Sequence, residues 1–426
     1  MLKGIKESLY RLLRSLEKYV NADLVYLASS NFWVNVSRVI SIGSGFLLTI
    51  TFTRLLTPEQ FGTYKYVLAA AGLVATFSMN GLATSVMRSV AQGKFNVIPA
   101  IFRAGMLWTL PASIASIGIS IYYFMHGNQD LGYAFLFIGV TNSVSGGVAT
   151  TKNIWGAAKE FRMSTLVGIP KVFIPFLIIL FTIIVTKNVT WILCAYFFSN
   201  IALSLWGYFF MKWWLKVKEG PDGVKEALTY GRQMTVFGFF QIASGQLDQL
   251  LLFHFVGPAP LAIYALAIAP VNEVKNLIGN VAGIMFPKIA VKTEKEIHDT
   301  LPLRLLQTFL ASIVLTFGYI ITVPFLFTYV FPKYLASILV SQVLALTVLF
   351  QVTTIVDTYL LAHAEIKKRT HIFILTQLIE FGFMFALIPF FGLWGAVAAA
   401  VLSEGFGAVV FVGMYLRVRA KFRAQN

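Results

Sequence analysis

Charge is scarce in this chain. Only 12% of its 426 residues are charged, 58% are apolar, and the mean hydropathy is +0.76. A soluble protein carries about 25% charged residues. Cysteine is almost absent too. Cys194 stands alone inside an apolar run, so no intrachain disulfide forms and no cysteine-built metal or redox site is possible. Long polar stretches are missing: the longest, about 212–231, is too short for an aqueous catalytic domain. There is no Walker sequence, no metal-ligand cluster and no nucleophile–base constellation. His254, His363 and His371 sit at the ends of apolar runs and suggest no metal site. An enzyme is therefore not expected.

What the chain has instead is a succession of apolar runs of about 20 residues, the length that crosses a bilayer. They fall at roughly 31–53, 62–87, 99–124, 131–151, 163–186, 189–211, 232–256, 260–287, 303–330, 334–362, 371–389 and 393–416. Backbone groups in lipid must be satisfied within the segment, so these spans are helices. The expected fold is an all-α polytopic membrane protein of about twelve transmembrane helices.

The basic residues orient it. Of the 34 lysines and arginines, only Arg54, Lys187 and Lys333 fall on the outer side when the N-terminus is cytoplasmic. Arg38, Lys65, Lys171 and Lys275 lie within spans, and the others gather on the inner side. The positive-inside rule then places both termini in the cytoplasm. It also accounts for the net charge of +16 without a nucleic-acid partner. Leu2, Ile5, Leu9, Leu12, Leu13, Leu16 and Val20 form one helical face in residues 1–20, with five basic residues elsewhere, a pattern for a helix on the inner membrane surface.

The stretch 41–88 recurs 200 residues later without a gap. Ser44-Gly45 meets Ser244-Gly245, Pro58 meets Pro258, Tyr64 meets Tyr264, Asn80 meets Asn280 and Arg88 meets Lys288. Each copy opens one half of the chain, which implies two pseudo-symmetric six-helix lobes around a central cavity. The domains are a surface helix at 1–30, an N-lobe at 31–219, a C-lobe at 220–416 entered by a short cytoplasmic helix, and a basic tail at 417–426. The turn Glu219-Gly220-Pro221-Asp222-Gly223 marks the join.

The chemistry rests on charges within the spans. The first lobe carries Arg38, Lys65 and Lys171 and no acid there; the second carries Asp248, Glu273, Asp357, Glu380 and Glu404, with Lys275. Facing lipid, nine such charges would cost on the order of 20–30 kcal/mol, more than a whole folding stability of about 5–15 kcal/mol. Most must face a wet cavity or pair with one another. Asn31, Asn35 and Arg38 share one face of span one, with Gly45 and Thr49; Gln241, Ser244 and Asp248 share one of span seven. Asn272, Lys275 and Asn276 share a face of span eight that Glu273 does not, and Glu273 reads as structural. Bland readings stand beside these. Lys65, between Tyr64 and Tyr66, can snorkel to the head groups, and Arg38 and Lys171 can as well. Arg88 is explained by its place at an inner helix end. Asp248, Asp357, Glu380 and Glu404 could be buried pairs or neutral acids instead of functional groups.

Asn31-Phe32-Trp33-Val34-Asn35, followed by Arg54-Leu55-Leu56-Thr57-Pro58-Glu59-Gln60-Phe61-Gly62-Thr63-Tyr64, resembles the opening of the Wzx-type polysaccharide flippases. These exporters are relatives of the multidrug and toxin extrusion (MATE) transporters and of the lipid II flippase. The usual Gly before the Pro is Thr57 here. The resemblance implies a bacterial inner-membrane protein moving an undecaprenyl-diphosphate-linked glycan, such as an O-antigen or exopolysaccharide repeat unit, to the outer leaflet. It further implies membrane lipids, a polysaccharide polymerase and chain-length machinery as partners. On that reading Arg38, Arg88, Lys171, Lys275, Asn31 and Asn35 meet the anionic substrate. Asp248, Asp357, Glu380 and Glu404 take H+ or Na+ as coupling ion, and no other cofactor is expected. The alternative is a MATE-like drug/cation antiporter.

Overall fold

The computed structural model describes residues 24–425 except 80, 152–153, 291–293 and 364–365. Within its helices the side chains of 24–32, 34–35, 236–238, 240–241, 280–299, 358–371, 418–419 and 421–425 are outside the description. The expected surface helix at 1–20 and the side chains of Asn31 and Asn35 therefore lie outside the described residues.

Every regular element described is helical: α1 (Leu24–Leu55), α2 (Pro58–Thr76), α3 (Gly81–Ala91), α4 (Ile98–Met125), α5 (Gln129–Ala149), α6 (Ile154–Ala157), α7 (Phe161–Thr186), α8 (Val189–Trp214), α9 (Val224–Phe255), α10 (Pro258–Ala290), α11 (Glu294–Val330), α12 (Ser337–Leu344), α13 (Val352–His363) and α14 (Ile366–Gln425). Among the described residues nine helices are long and apolar enough to cross a membrane. They become ten when α2 and α3, bent by 62° at their junction, count as one span. Two of the twelve expected spans share α14, which breaks at Gly392 (φ 58°, ψ −129°), a backbone open to glycine alone. The span expected at 232–256 lies in α9. Its leading helix from Val224 is continuous with it, not separate. The span at 334–362 is not one α-helix: α12 gives way to a 3-10 stretch at Ala345–Gln351 before α13. The protein is thus an all-α multi-pass membrane protein.

By packing the chain forms two compact units. One holds residues to Thr51 with Ser78–Thr235; the other holds Phe52–Phe77 with Val236 onward. These units are not contiguous in sequence, unlike the lobes at 31–219 and 220–416. α2 goes with the second unit because it lies against α10 at backbone contact. A Cβ on Gly62 would fall 1.8 Å from the Pro258 carbonyl oxygen.

In the first unit α4 and α5 pack through small residues. Gly105, Gly139 and Gly146 face the partner helix where a Cβ would fall 3.0 Å or less from its atoms. Close approach of this kind drives helix association where lipid removes the hydrophobic term. Ser143 donates to the Met106 carbonyl (2.9 Å) and Ser120 to that of Gly132 (2.7 Å). A core of Leu82, Val86, Ile98, Ile101, Phe102, Trp155 and Tyr208 closes one end of the unit.

The second unit has its own core, running from Leu252, Tyr264 and Val271 to Val348, Met384, Ile388 and Val397. Phe253 of α9 stacks on Tyr66 of α2 at 3.8 Å between centroids. Thr57 has a reason here. Its side chain accepts from the Gln60 N–H (3.3 Å), and the Gln60 side chain accepts from the Thr57 N–H (3.0 Å), a full capping box for α2. Glycine there supplies no such oxygen. Thr57→Ala is expected to cost about 1 kcal/mol, read as a small fall in the melting temperature of the detergent-solubilised protein; Thr57→Ser should leave it unchanged.

Candidate functional site

The second copy of the repeated hairpin, α9 and α10, carries the first group of polar atoms. Asp248 is only 8% exposed. It accepts from the Tyr264 hydroxyl at 2.8 Å and from the Gln249 N–H at 2.7 Å. Tyr64 occupies the matching place in the first copy and is buried as well, but it stacks on Phe52 at 4.4 Å. Leu48 stands where Asp248 would be. The repeat therefore preserves the aromatic and changes its partner from apolar to acidic.

The second group joins α10, α13 and α14. Lys275 of α10 forms an ion pair with Glu404 of α14, with side chains 15% and 33% exposed. Gln351, at the end of the 3-10 stretch, also hydrogen-bonds Glu404. Gln377 donates to Glu380 at 2.9 Å, and Thr354 donates to the Gln351 side-chain oxygen at 3.3 Å. Asp357, Glu380 and Glu404 all line one cavity of about 360 Å³, with Thr376, Gln377 and Ser403 on its wall. Asp248 lies within electrostatic reach of Glu380. The second unit thus gathers the four expected acids into one electrostatic neighbourhood, three of them on a shared wall. The cavity has room for several waters at about 30 Å³ each. Among the described residues no three His, Cys, Asp or Glu are grouped so as to hold a metal ion.

Lys275 is the residue whose setting differs from its expected role. Grouped with the substrate cations in the sequence, it is the counter-ion of an acid here. Its ammonium answers Glu404 because α10 and α14 bring them together from 129 residues apart. Glu273, on another face of α10, is exposed.

The expected cations of the first unit stand apart from any described acid pair. α1 runs beside α7, since Thr165 donates to the Trp33 carbonyl (2.9 Å) and Gly168 faces the Ser37 hydroxyl. Arg38 follows Ser37, and Lys171 comes three residues after Gly168. The two half-buried cations therefore lie within about one helical turn of each other in height. The Lys171 side chain lies across Gly207 of α8, where a Cβ would collide with its Cε. It is held against protein as well as open to its surroundings. Arg88 is exposed at the last turn of α3 with its guanidinium 4.9 Å over the Tyr230 ring, a cation–π contact.

Sequence reasoning matched Tyr264 to Tyr64 in the repeat without giving it a partner, and it did not single out Gln351, Gln377, Thr376 or Ser403. Gln377 was within reach of it, because it precedes Glu380 by three helical positions. Gln351 was not, because the 3-10 stretch that aims it at Glu404 carries no pattern that separates it from α-helix.

A family model described as "Polysaccharide biosynthesis protein" matches residues 27–293. No curated protein matches. Solved structures similar in fold include the lipid II flippase MurJ in an inward closed conformation: TM-score 0.71, 12% identity, covering 91% of this chain and 87% of that one. An inward-facing multidrug-resistance MATE family transporter of the MOP superfamily matches with TM-score 0.65 and 15% identity, over 90% of this chain and 96% of that one. A MOP superfamily transporter from Pyrococcus furiosus matches with TM-score 0.60 and 15% identity, over 92% and 96%. At these identities the likeness is one of fold. The fold is the one that these transporters and the lipid II flippase share. The chain belongs to the polysaccharide biosynthesis protein family.

Proposed function

We propose that this protein is a flippase that moves an undecaprenyl-diphosphate-linked oligosaccharide, an O-antigen or exopolysaccharide repeat unit, from the cytoplasmic to the outer leaflet of the bacterial inner membrane. The observation that carries this reading is the segregation of charge in a polysaccharide-biosynthesis chain. Cations without described acid partners, Arg38 and Lys171, lie in the first unit, and the acids are collected in the second. A diphosphate entering from the cytoplasmic leaflet is met by guanidinium and ammonium groups, the donors suited to it. The basic loops support a cytoplasmic placement of both termini.

The acids serve to reset the cycle. H+ or Na+ enters the polar cavity beside Asp357, Glu380 and Glu404 and biases the protein between inward- and outward-open states by differential affinity. The 3-10 stretch Ala345–Gln351, whose last residue contacts Glu404, is a natural place for that bias to reach the helix. No tight carboxylate cage is needed, since neutral oxygens of Gln351 and Thr354 can complete a weak monovalent site. A polysaccharide polymerase and chain-length proteins are the downstream partners on this reading.

Removing a charge-assisted contact to phosphate costs about 1.5–3 kcal/mol. Arg38→Ala and Lys171→Ala are each expected to lower export on the order of ten- to a hundredfold, by the same figure, while the protein still inserts. Surface glycan and accumulated lipid-linked precursor are the readouts; full export in both variants would overturn the assignment. The acid cavity favours one other reading, a drug/cation antiporter. Deletion distinguishes the two: truncated surface glycan with precursor accumulation supports the flippase, and drug sensitivity with intact glycan supports the antiporter.

A further inference from the structure

A second cavity, of about 820 Å³, lies in the first unit at the join between α4 and the loop entering α9. The loop is tied down there. Asn96 donates to the carbonyls of Gly220 (3.3 Å) and Asp222 (2.8 Å), and Arg103 of α4 is ion-paired with Glu219. Outside the cavity wall, Glu226 is answered by Lys94 at 3.6 Å. Both nearby glutamates are therefore neutralised. Lys225 and Arg232, seven residues apart and so on one face of α9, line the cavity with Thr229 between them. No described ion pair engages either. The wall carries excess positive charge, and the Thr229 hydroxyl between the two cations donates to the Lys225 carbonyl at 2.9 Å.

The floor is apolar, formed by Ala100, Val224 and Leu228. A soluble anion would gain nothing from it. The apolar surface also continues: Leu107, Leu110, Ile114 and Ile121 follow Arg103 at helical spacing along α4, and they are 66%, 41%, 67% and 55% exposed. An exposed apolar stripe thus begins one turn beyond a cationic cavity. That is the shape of a lipid with a phosphate head.

We propose that this cavity is a binding site for a membrane lipid bearing a phosphate head group, which Lys225 and Arg232 hold while its hydrocarbon chain lies along the stripe from Leu107 to Ile121. The lipid is a phospholipid such as phosphatidylglycerol: the stripe is about 21 Å long by helical rise, comparable to the hydrocarbon depth of one leaflet. The site is separate from Arg38 and Lys171. Its cytoplasmic placement follows from the basic loops and does not rest on the flippase reading.

The test is lipid titration of the purified full chain, read by native mass spectrometry, with phosphatidylglycerol, undecaprenyl diphosphate and phosphatidylcholine as probes. The wild type is expected to retain phosphatidylglycerol tenfold more tightly than phosphatidylcholine. Lys225→Gln with Arg232→Gln should abolish that preference, and Lys225→Arg with Arg232→Lys should keep it within threefold. Tighter retention of undecaprenyl diphosphate than of phosphatidylglycerol overturns the assignment to a phospholipid. Equal retention of all three lipids, or unchanged preference in the double glutamine variant, overturns the proposal. Export is measured in parallel. A variant that loses the lipid and still exports glycan leaves this site standing and separates it from substrate loading.

Discussion

Glu404→Gln is expected to destabilise the protein by about 1–3 kcal/mol, less than the about 3–5 kcal/mol for breaking a fully buried ion pair, because this pair is partly buried. The charge stranded is Lys275, 15% exposed on its side chain and without another ion-pair partner among the described residues. Removing both charges, Glu404→Met with Lys275→Met, should recover most of that loss, because well-packed apolar residues commonly replace a buried pair at little cost. Glu380→Gln is the comparison that matters. Glu380 is hydrogen-bonded to Gln377 and has no described ion pair, so its loss should leave stability nearly unchanged while export driven by an ion gradient falls. Thermal unfolding in detergent reads the first effect and precursor accumulation the second. Equal stability of Glu404→Gln and the wild type would show that the pair carries no structural weight.

Gly62→Ala is the second large effect. A Cβ at this position would stand 1.8 Å from the Pro258 carbonyl oxygen and 2.5 Å from its carbon. Backbone on both sides leaves no flexible side chain to move aside, so α2 and α10 must separate. Overpacking of ordinary cores costs about 1–3 kcal/mol, more where relaxation is blocked, and at least the upper figure is expected here. Gly45→Ala is the control, since nothing lies within 4 Å of the Cβ it would add. A melting temperature for Gly62→Ala no lower than that of Gly45→Ala would mean that the contact between α2 and α10 does not persist.

Gly62 also shows how a motif can be visible before its reason is. The Phe61-Gly62 pair in the turn after span one was part of the resemblance to the polysaccharide flippases, yet nothing along the chain demands a glycine inside a helix. Pro258 demands it, from 196 residues away. Thr57 is the opposite case: its capping box is local, with Gln60 three residues on, and could be read straight from the sequence.

Hydropathy and the period of apolar residues determined the helices and their membrane setting, because a backbone in lipid has so few ways to satisfy its hydrogen bonds. The gapless repeat showed that α9 and α10 copy α1 and α2, and the lack of acids in the spans before residue 220 put the acids of the spans in the second half. Which acids share a cavity, that Lys275 answers Glu404 and that Tyr264 holds Asp248 were decided by packing alone. Those partners come from different helices or from opposite strokes of one hairpin. Helical periodicity assigns a side chain to a face but says nothing of which other face it meets, and it is the meeting that sets the electrostatics of the site.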